Sequence, residues 1–352
     1  MQLHCDLKIY NMFDLTKIVR KNILNLKPYS SARDEFSGKD GVFLDANENP
    51  YGKLNRYPDP YQKDLKKKLS HLKSVKPENI FIGNGSDEVI DLCYRIFCAP
   101  GKDKALTFSP TYGMYEVSAN INEVDLINLP LNNSFQINLE ALENVLINES
   151  IKLIFVCSPN NPTGNAINNI DIVLDKFKGI VVVDEAYIDF SDTNSFIEKI
   201  NKYPNLIVAQ TFSKAWGLAS ARVGVAYANE KIISILNKVK SPYNVSMLNQ
   251  KAAINVLDNS SEYKNQKEII LKQKKVIKKA LASIFIVKKI YPSDANFILV
   301  EVEDANKVYN ELVSKRLITR NRNSLVNNCI RITIGKPTEN KKLIKALKEI
   351  NL

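Results

Sequence analysis

Histidine is nearly missing from this 352-residue sequence, which holds only His4 and His71. A Ser-His-Asp triad and a multi-histidine metal centre both need imidazoles that the chain does not have. Cysteine is sparse and unpatterned. Cys5, Cys93, Cys98, Cys157 and Cys329 are odd in number and form no Cys-x-x-Cys pair. They fit neither a disulfide framework nor a zinc site, and suit free thiols in a reducing cytoplasm. No apolar run approaches the roughly 18–20 residues that cross a bilayer. The opening Met1-Gln2-Leu3-His4-Cys5-Asp6 lacks the basic-then-apolar order of a secretory signal. Neither a membrane location nor a bound metal is expected. Any catalytic work falls to Lys, Asp, Tyr, Arg or a bound cofactor.

What is present is ordinary for a soluble globular chain: 45% hydrophobic and 25% charged residues. The length favours one large domain plus a smaller one. The net charge of +11 comes from lysines spread along the chain, clustered at Lys66-Lys67-Lys68 and within 264–289. No aromatic-interleaved basic motif accompanies them, so a solvated lysine-rich surface is expected rather than a nucleic-acid face. The same field draws small anions toward the protein.

Residues 1–40 read as an N-terminal extension, with a second start at Met12, then a short helix and an irregular arm holding Pro28 and Gly38. Residues 41–255 read as a large α/β domain. Strand-length apolar runs at 79–82, 104–108, 153–157, 180–184, 206–211 and 223–227 alternate with helical stretches. Runs this rich in Val and Ile suit a mainly parallel sheet covered by helices on both faces. A helix over 87–97 is expected, with Ser86 as its N-cap. Residues 256–352 read as a smaller α+β domain. It opens on a long lysine-rich helix at 262–283 that bridges the two, and holds strands at 297–302 and 330–334 with helices near 305–315 and 338–350.

Five strings carry chemistry. In Thr211-Phe212-Ser213-Lys214-Ala215-Trp216-Gly217-Leu218, with Arg222 eight residues after the lysine, an amine ends an apolar strand. Alone it reads as a solvated strand end. With Ser213 and Arg222 to hold a phosphate, it reads as a cofactor-linked amine whose pKa is lowered by partial desolvation. In Val181-Val182-Val183-Asp184-Glu185-Ala186-Tyr187, Asp184 ends a buried strand, where an unpaired carboxylate is costly. A cationic pyridine nitrogen would resolve that cost, although a carboxylate at a helix N-terminus is an alternative that suits Glu185 equally. Ser158-Pro159-Asn160-Asn161-Pro162-Thr163-Gly164 freezes a loop at a strand's carboxyl end, where open α/β sheets bind ligands. Gly83-Asn84-Gly85-Ser86-Asp87 is a glycine turn into a helix, a phosphate cradle in which Ser86 serves as cap, as ligand group or as both. Ser109-Pro110-Thr111-Tyr112-Gly113-Met114-Tyr115 places Tyr112 to stack on a flat ring or to pack against apolar neighbours.

In this order the strings resemble the fold-type-I pyridoxal-phosphate aminotransferases. Leu26-Lys27-Pro28-Tyr29, Leu44-Asp45-Ala46-Asn47-Glu48-Asn49-Pro50-Tyr51-Gly52, Arg56-Tyr57-Pro58-Asp59 and Cys329-Ile330-Arg331-Ile332-Thr333-Ile334-Gly335 are similar to signatures of the histidinol-phosphate aminotransferase family. The resemblance covers about residues 14–350. It implies a pyridoxal 5'-phosphate enzyme that exchanges an amino group between L-histidinol phosphate and 2-oxoglutarate, a step of L-histidine biosynthesis. A broad-specificity aromatic aminotransferase is the alternative. By resemblance, Lys214 links the cofactor and carries the proton, and Asp184 pairs with the pyridine nitrogen. Asn161 and Tyr187 hold the phenolic oxygen, and Tyr112 stacks on the ring. Gly85, Ser86, Asp87, Ser213 and Arg222 surround the cofactor phosphate, and Tyr57 reaches the phosphate in a neighbouring subunit, implying a homodimer with shared sites. Arg331, Arg320, Tyr29 and Asn47 meet the substrate, with Arg322 an alternative to Arg320. Three departures stand out: Trp216 replaces the family's usual Phe, Asn321 replaces a common Asp, and the segment from Arg320 to Arg331 is short.

Overall fold

The computed structural model describes residues 13–29, 41–148 and 150–350. Met12, Gly38, Cys5 and His4, and with them residues 1–12 and 30–40 of the extension and arm, lie outside the described residues.

Seven strands make the larger sheet: β1 (Ile80–Asn84), β2 (Lys104–Ser109), β3 (Asp125–Pro130), β4 (Ile151–Cys157), β5 (Ile180–Asp184), β6 (Leu206–Thr211) and β7 (Val223–Ala228), in the order β1-β7-β6-β5-β4-β2-β3. Strands β3, β2, β4, β5 and β6 pair in parallel, while β7 runs antiparallel to both β6 and β1. The apolar runs are continuous because both faces are covered. Val181 and Val183 enter one core layer, whereas Ile180 and Val182 enter the other. Such two-sided burial explains the absence of polar alternation in these strands. Edge strand β3 escaped the sequence reading because only Leu129 of its six residues is buried.

A second sheet, with order β10-β11-β9-β8, is antiparallel throughout: β8 (Val287–Ile290), β9 (Phe297–Val302), β10 (Arg320–Asn321) and β11 (Cys329–Thr333). It has its own core of Ile298, Val300, Ile330 and Ile332 under the helices Ala305–Ser314 and Pro337–Lys348. The helix Ser260–Leu281 connects the two sheets. Near its start Tyr263 stacks on Trp216 with ring centroids 3.8 Å apart, and near its end Ile277 and Leu281 enter the second core. Midway, Lys274 donates to the carbonyls of Ser293 and Ala295 at 3.0 Å each.

Two expectations need correction. Not every clustered lysine is solvated: Lys66 is 8% exposed, and burial pushes its amine down to about 8. Nor is Ser86 an N-cap. The helix is Ser86–Phe97, Gly85 occupies the cap position, and no side chain caps it. The chain enters that helix through a positive φ of 81° at Gly85, a conformation open to glycine but strained for serine.

Candidate active site

The carboxyl ends of β4, β5 and β6 fall on one edge of the large sheet, and the small sheet closes over that edge. Phe297 of β9 meets Tyr187 edge-on at 5.1 Å between centroids. Asp294 accepts a hydrogen bond from the Ala166 amide at 2.8 Å, and its own amide donates to the Gly164 carbonyl at 2.7 Å. Between the sheets lies a cavity of about 350 Å³. Lys214, Asp184, Asn161, Tyr187 and Tyr112 all line it, although they come from four separate strand ends. Ser86, Asp87, Ser213, Arg222, Arg320 and Arg331 line it as well. A wider groove of about 980 Å³ lies elsewhere, beside Lys63, Lys66 and Lys231. None of the residues of the five chemistry-bearing strings lines it.

Asp184 is 2% exposed and stands beside Cys157 in the β4–β5 register. Its carboxylate accepts hydrogen bonds from the Tyr115 hydroxyl at 2.8 Å and the Ala186 amide at 3.1 Å. Burial nevertheless holds its pKa above the ordinary carboxylate value. Among the described residues no cation pairs with it, so it stands as an anchor for a positive group arriving from the cavity. Glu185 goes to the other side of the sheet. There it accepts from Ser195 Oγ and the Phe196 amide at 2.6 Å each and from Gln210 Nε2 at 2.9 Å, and burial raises it to about 7. The alternative that treated the two acids alike is thereby resolved: only Asp184 faces the cavity.

Lys214 opens into the cavity, with its amine 5.6 Å from the centroid of the Tyr187 ring. Partial burial, and after it the charge of Arg331, holds this amine below the usual lysine range. A lowered amine pKa is what a nucleophilic lysine needs.

An anion cradle lies on the cavity wall formed by the Ser86–Phe97 helix, whose first turn supplies unpaired backbone N–H groups. The Ser86 hydroxyl, not spent on capping, is free for a ligand. Arg222 donates to Asp87 Oδ2 at 3.1 Å and to Ser213 Oγ at 3.4 Å, which ties the cradle together. Close backbone approach demands glycine here. A Cβ on Gly224 would meet Gly85 C and Ser86 N at 2.2 Å, and one on Gly85 would meet Arg222 Nη2 at 2.6 Å.

Opposite the cradle, Asn161 Nδ2 donates to the Tyr187 hydroxyl at 3.4 Å, and Arg331 Nη1 donates to Asn161 Oδ1 at 2.5 Å. The Arg331 guanidinium lies 5.1 Å over the Phe297 ring. Arg320 pairs directly across the ladder from Arg331 and is exposed on the cavity rim. Tyr112 donates to Asp87 Oδ1 at 3.2 Å and meets Tyr115 edge-on. Its ring therefore borders the cavity and packs at once.

A buried acid at one end, an amine in the middle and an anion cradle at the other end match the three polar features of pyridoxal 5'-phosphate: ring nitrogen, aldehyde and phosphate. The donor set fits the cofactor.

Three expected residues are not brought to this cavity within one chain. Tyr57 stacks on Tyr243 at 4.4 Å, and its amide donates to Glu48 Oε1 at 2.6 Å. Asn47 lines the same separate groove, and Tyr29 is 69% exposed beside Lys238 and Tyr243. Conversely, the sequence reading gave no role to Tyr115, Cys157 or Thr211. Tyr115 follows Tyr112 by three positions, and nothing local tells which of the two reaches the acid. The packing of its helix (Met114–Ile121) decides that.

A family model described as "Aminotransferase class I and II" matches residues 40–347. The histidinol-phosphate aminotransferase of Cytophaga hutchinsonii is 51% identical over 345 residues, covering 96% of this chain and 99% of that one. The enzyme of the same name from Christiangramia forsetii is 52% identical, covering 96% and 98%. Among solved structures, the histidinol-phosphate aminotransferase of Clostridium acetobutylicum superposes with a TM-score of 0.77 at 26% identity, covering 84% of this chain and 90% of that one. The Sinorhizobium meliloti enzyme, in complex with pyridoxal-5'-phosphate, gives 0.76 at 26% identity, covering 86% and 89%.

Proposed function

Because the chain belongs to the class I and II aminotransferases, and within them to the histidinol-phosphate aminotransferase family, we propose that it exchanges an amino group between L-histidinol phosphate and 2-oxoglutarate, yielding imidazole-acetol phosphate and L-glutamate in L-histidine biosynthesis. The observation that carries this reading is the enclosure of Lys214, Asp184 and an arginine wall in one cavity. Pyridoxal 5'-phosphate, when bound, supplies the aldehyde that receives the amino group and the ring that absorbs the charge left on the substrate carbon.

The chain's own groups do the rest. Asp184 holds a proton on the ring nitrogen by charge, and Tyr115 and the Ala186 amide keep the acid aimed. Asn161 and Tyr187 orient the ring's phenolic oxygen, while the face of Tyr112 fixes its plane. Ser86, Ser213, Arg222 and the backbone of Gly85–Asp87 hold the phosphate. Lys214 anchors the cofactor and moves a proton at the substrate's amine-bearing carbon. Arg331 and Arg320 take the substrate's anionic end, and the small sheet over the cavity excludes water from the exchange.

Wild-type half-reaction rates should favour histidinol phosphate over phenylalanine by roughly 10–100-fold, the worth of one or two charge-assisted hydrogen bonds to a phosphate. Arg331→Ala should shrink that gap. Equal wild-type rates would instead support a broad-specificity aromatic aminotransferase.

Tyr57, Asn47 and Tyr29 sit outside the cavity of their own chain, which supports a homodimer in which they complete the partner's site. Light scattering of the holoenzyme should return twice the chain mass, and a monomeric, fully active enzyme would refute shared sites. Among the described residues no helix is long and apolar enough to cross a membrane, in keeping with a cytoplasmic enzyme acting on small molecules.

A further inference from the structure

Trp216 is the only tryptophan in the chain, and it stands two residues after Lys214. Its indole stacks on the Tyr263 ring with centroids 3.8 Å apart and planes 8° from parallel. It also meets the Phe212 ring at 5.6 Å. Phe212 is 2% exposed and belongs to the core of the large sheet. From Phe212 to Leu218 the chain folds back on itself. The Leu218 amide donates to the Phe212 carbonyl at 2.9 Å, and the Gly217 amide to the Lys214 carbonyl at 3.2 Å. Phe212 anchors the start of this turn, and Lys214 and Trp216 sit within it. Holding the indole therefore holds the backbone that carries the amine.

Tyr263 lies in the first turn of the helix Ser260–Leu281. Lys274 follows eleven residues later, close to three full turns, so both side chains leave the same face. That face also carries Ile270, Ile277 and Leu281, which pack into the core of the small sheet. Lys274 is 9% exposed, and its amine is bound to the Ser293 and Ala295 carbonyls. Two residues past Ala295 begins β9, in which Leu299 pairs across from Arg331. One face of one helix thus joins the Lys214 turn to the strand pair that holds Arg331. At the first end the stack is the fastening: Ser261, Glu262 and Lys264 around Tyr263 are all exposed.

A stacked aromatic pair shifts an equilibrium by roughly threefold to tenfold. Displacing a reacting group by about 1 Å can cost on the order of 100-fold in rate. A weak contact that sets an amine's position therefore matters more to rate than to stability. We propose that Trp216 and Tyr263 are positioning residues for Lys214: their stacked rings hold the turn that aims the amine and fasten it to the helix that carries the small sheet. This rests on the reading of Lys214 as the group that moves the proton, and adds to it the parts that keep that group in place.

The test is Tyr263→Leu and Trp216→Leu, which remove the stack from either side, with Tyr263→Phe, which keeps it. Both rings are only half-buried, so the leucine variants keep the core. In half-reactions of the cofactor-loaded enzyme the saturating rate should fall roughly 10–100-fold in each leucine variant, for glutamate and histidinol phosphate alike. The half-saturating substrate concentration should change less than about threefold. Tyr263→Phe should stay within about twofold of wild type. The second readout is the amine itself. Competitive acetylation of the full chain freed of cofactor, followed by peptide mass spectrometry, should show Lys214 titrating below 10.5 in wild type. In the leucine variants it should move up toward that value, because a loosened turn lets water reach the amine. A stack that only adds stability would lower the melting temperature and leave both readouts in place, and that result would overturn the assignment. Equal losses in Tyr263→Phe, or weaker substrate binding with the saturating rate kept, would overturn it too. If Lys214→Ala keeps wild-type turnover, the reading of Lys214 falls and this inference with it. If Lys214→Ala is inactive while the leucine variants match wild type, this inference alone falls.

Discussion

Lys214→Ala should give a folded, colourless protein whose turnover is lost by at least ~10⁴-fold, the upper range for removing a positioned proton-transfer group, with the loss of covalent anchoring added. The wild type should purify yellow or become yellow with added pyridoxal 5'-phosphate. Borohydride reduction followed by peptide mass spectrometry should place the cofactor on the peptide containing Lys214, and nowhere in the variant. The physical basis is the amine's position. It opens into the cavity, burial and Arg331 lower its pKa, and no carboxylate salt-bridges it among the described residues. The fold should survive because the side chain is solvent-open and bears no core packing. A wild type that stays colourless with excess cofactor, or a variant that keeps both colour and turnover, would remove the foundation of the functional reading.

Asp184→Asn should cost about 10³-fold in both half-reactions, while leaving substrate preference unchanged. Breaking one member of a buried charge pair costs about 3–5 kcal/mol, and each 1.4 kcal/mol is a factor of ten. The amide fills the same space but cannot hold a proton on the ring nitrogen. Without cofactor the effect on stability should have the opposite sign. Burial raises the Asp184 pKa above its ordinary 3.8, so the folded state favours the protonated acid. The native state then binds more protons than the unfolded one between that value and the raised one, and stability falls as pH rises through this window. Cofactor-free Asp184→Asn should therefore melt at or above wild type at alkaline pH. Its advantage should shrink as pH falls toward 3.8. A variant with near-wild-type rates would sever Asp184 from the chemistry. One that loses stability at alkaline pH without cofactor would make the acid a structural group.

Much of this was legible because parallel strands buried on both faces announce themselves. Ile180–Asp184 and Leu206–Thr211 were readable to the residue, since an unbroken Val and Ile run ends where the chain leaves the sheet. The small sheet was legible at Phe297–Val302 for the same reason. Strand β8, Val287–Ile290, was not, because its two central lysines are exposed and leave no apolar run. The Ser86 cap was misread because a serine before an apolar helix is the usual signal. Here the sharp turn at Gly85 starts the helix one residue earlier.

The sequence by itself determined the chemistry available: an amine after an apolar strand, an acid ending another, a glycine turn into a helix, a loop with two prolines, and the arginines Arg320, Arg322 and Arg331 near the carboxyl terminus. Local composition suffices for that, because strand ends and tight turns are set by near neighbours. Only the tertiary structure decided which of these groups meet. It chose Asp184 over Glu185, because adjacent residues leave opposite faces of the sheet. It enlisted Tyr115 through helix packing and set Tyr57, Asn47 and Tyr29 outside their own cavity. It also aligned Arg320 with Arg331 through a ladder whose register no local pattern encodes.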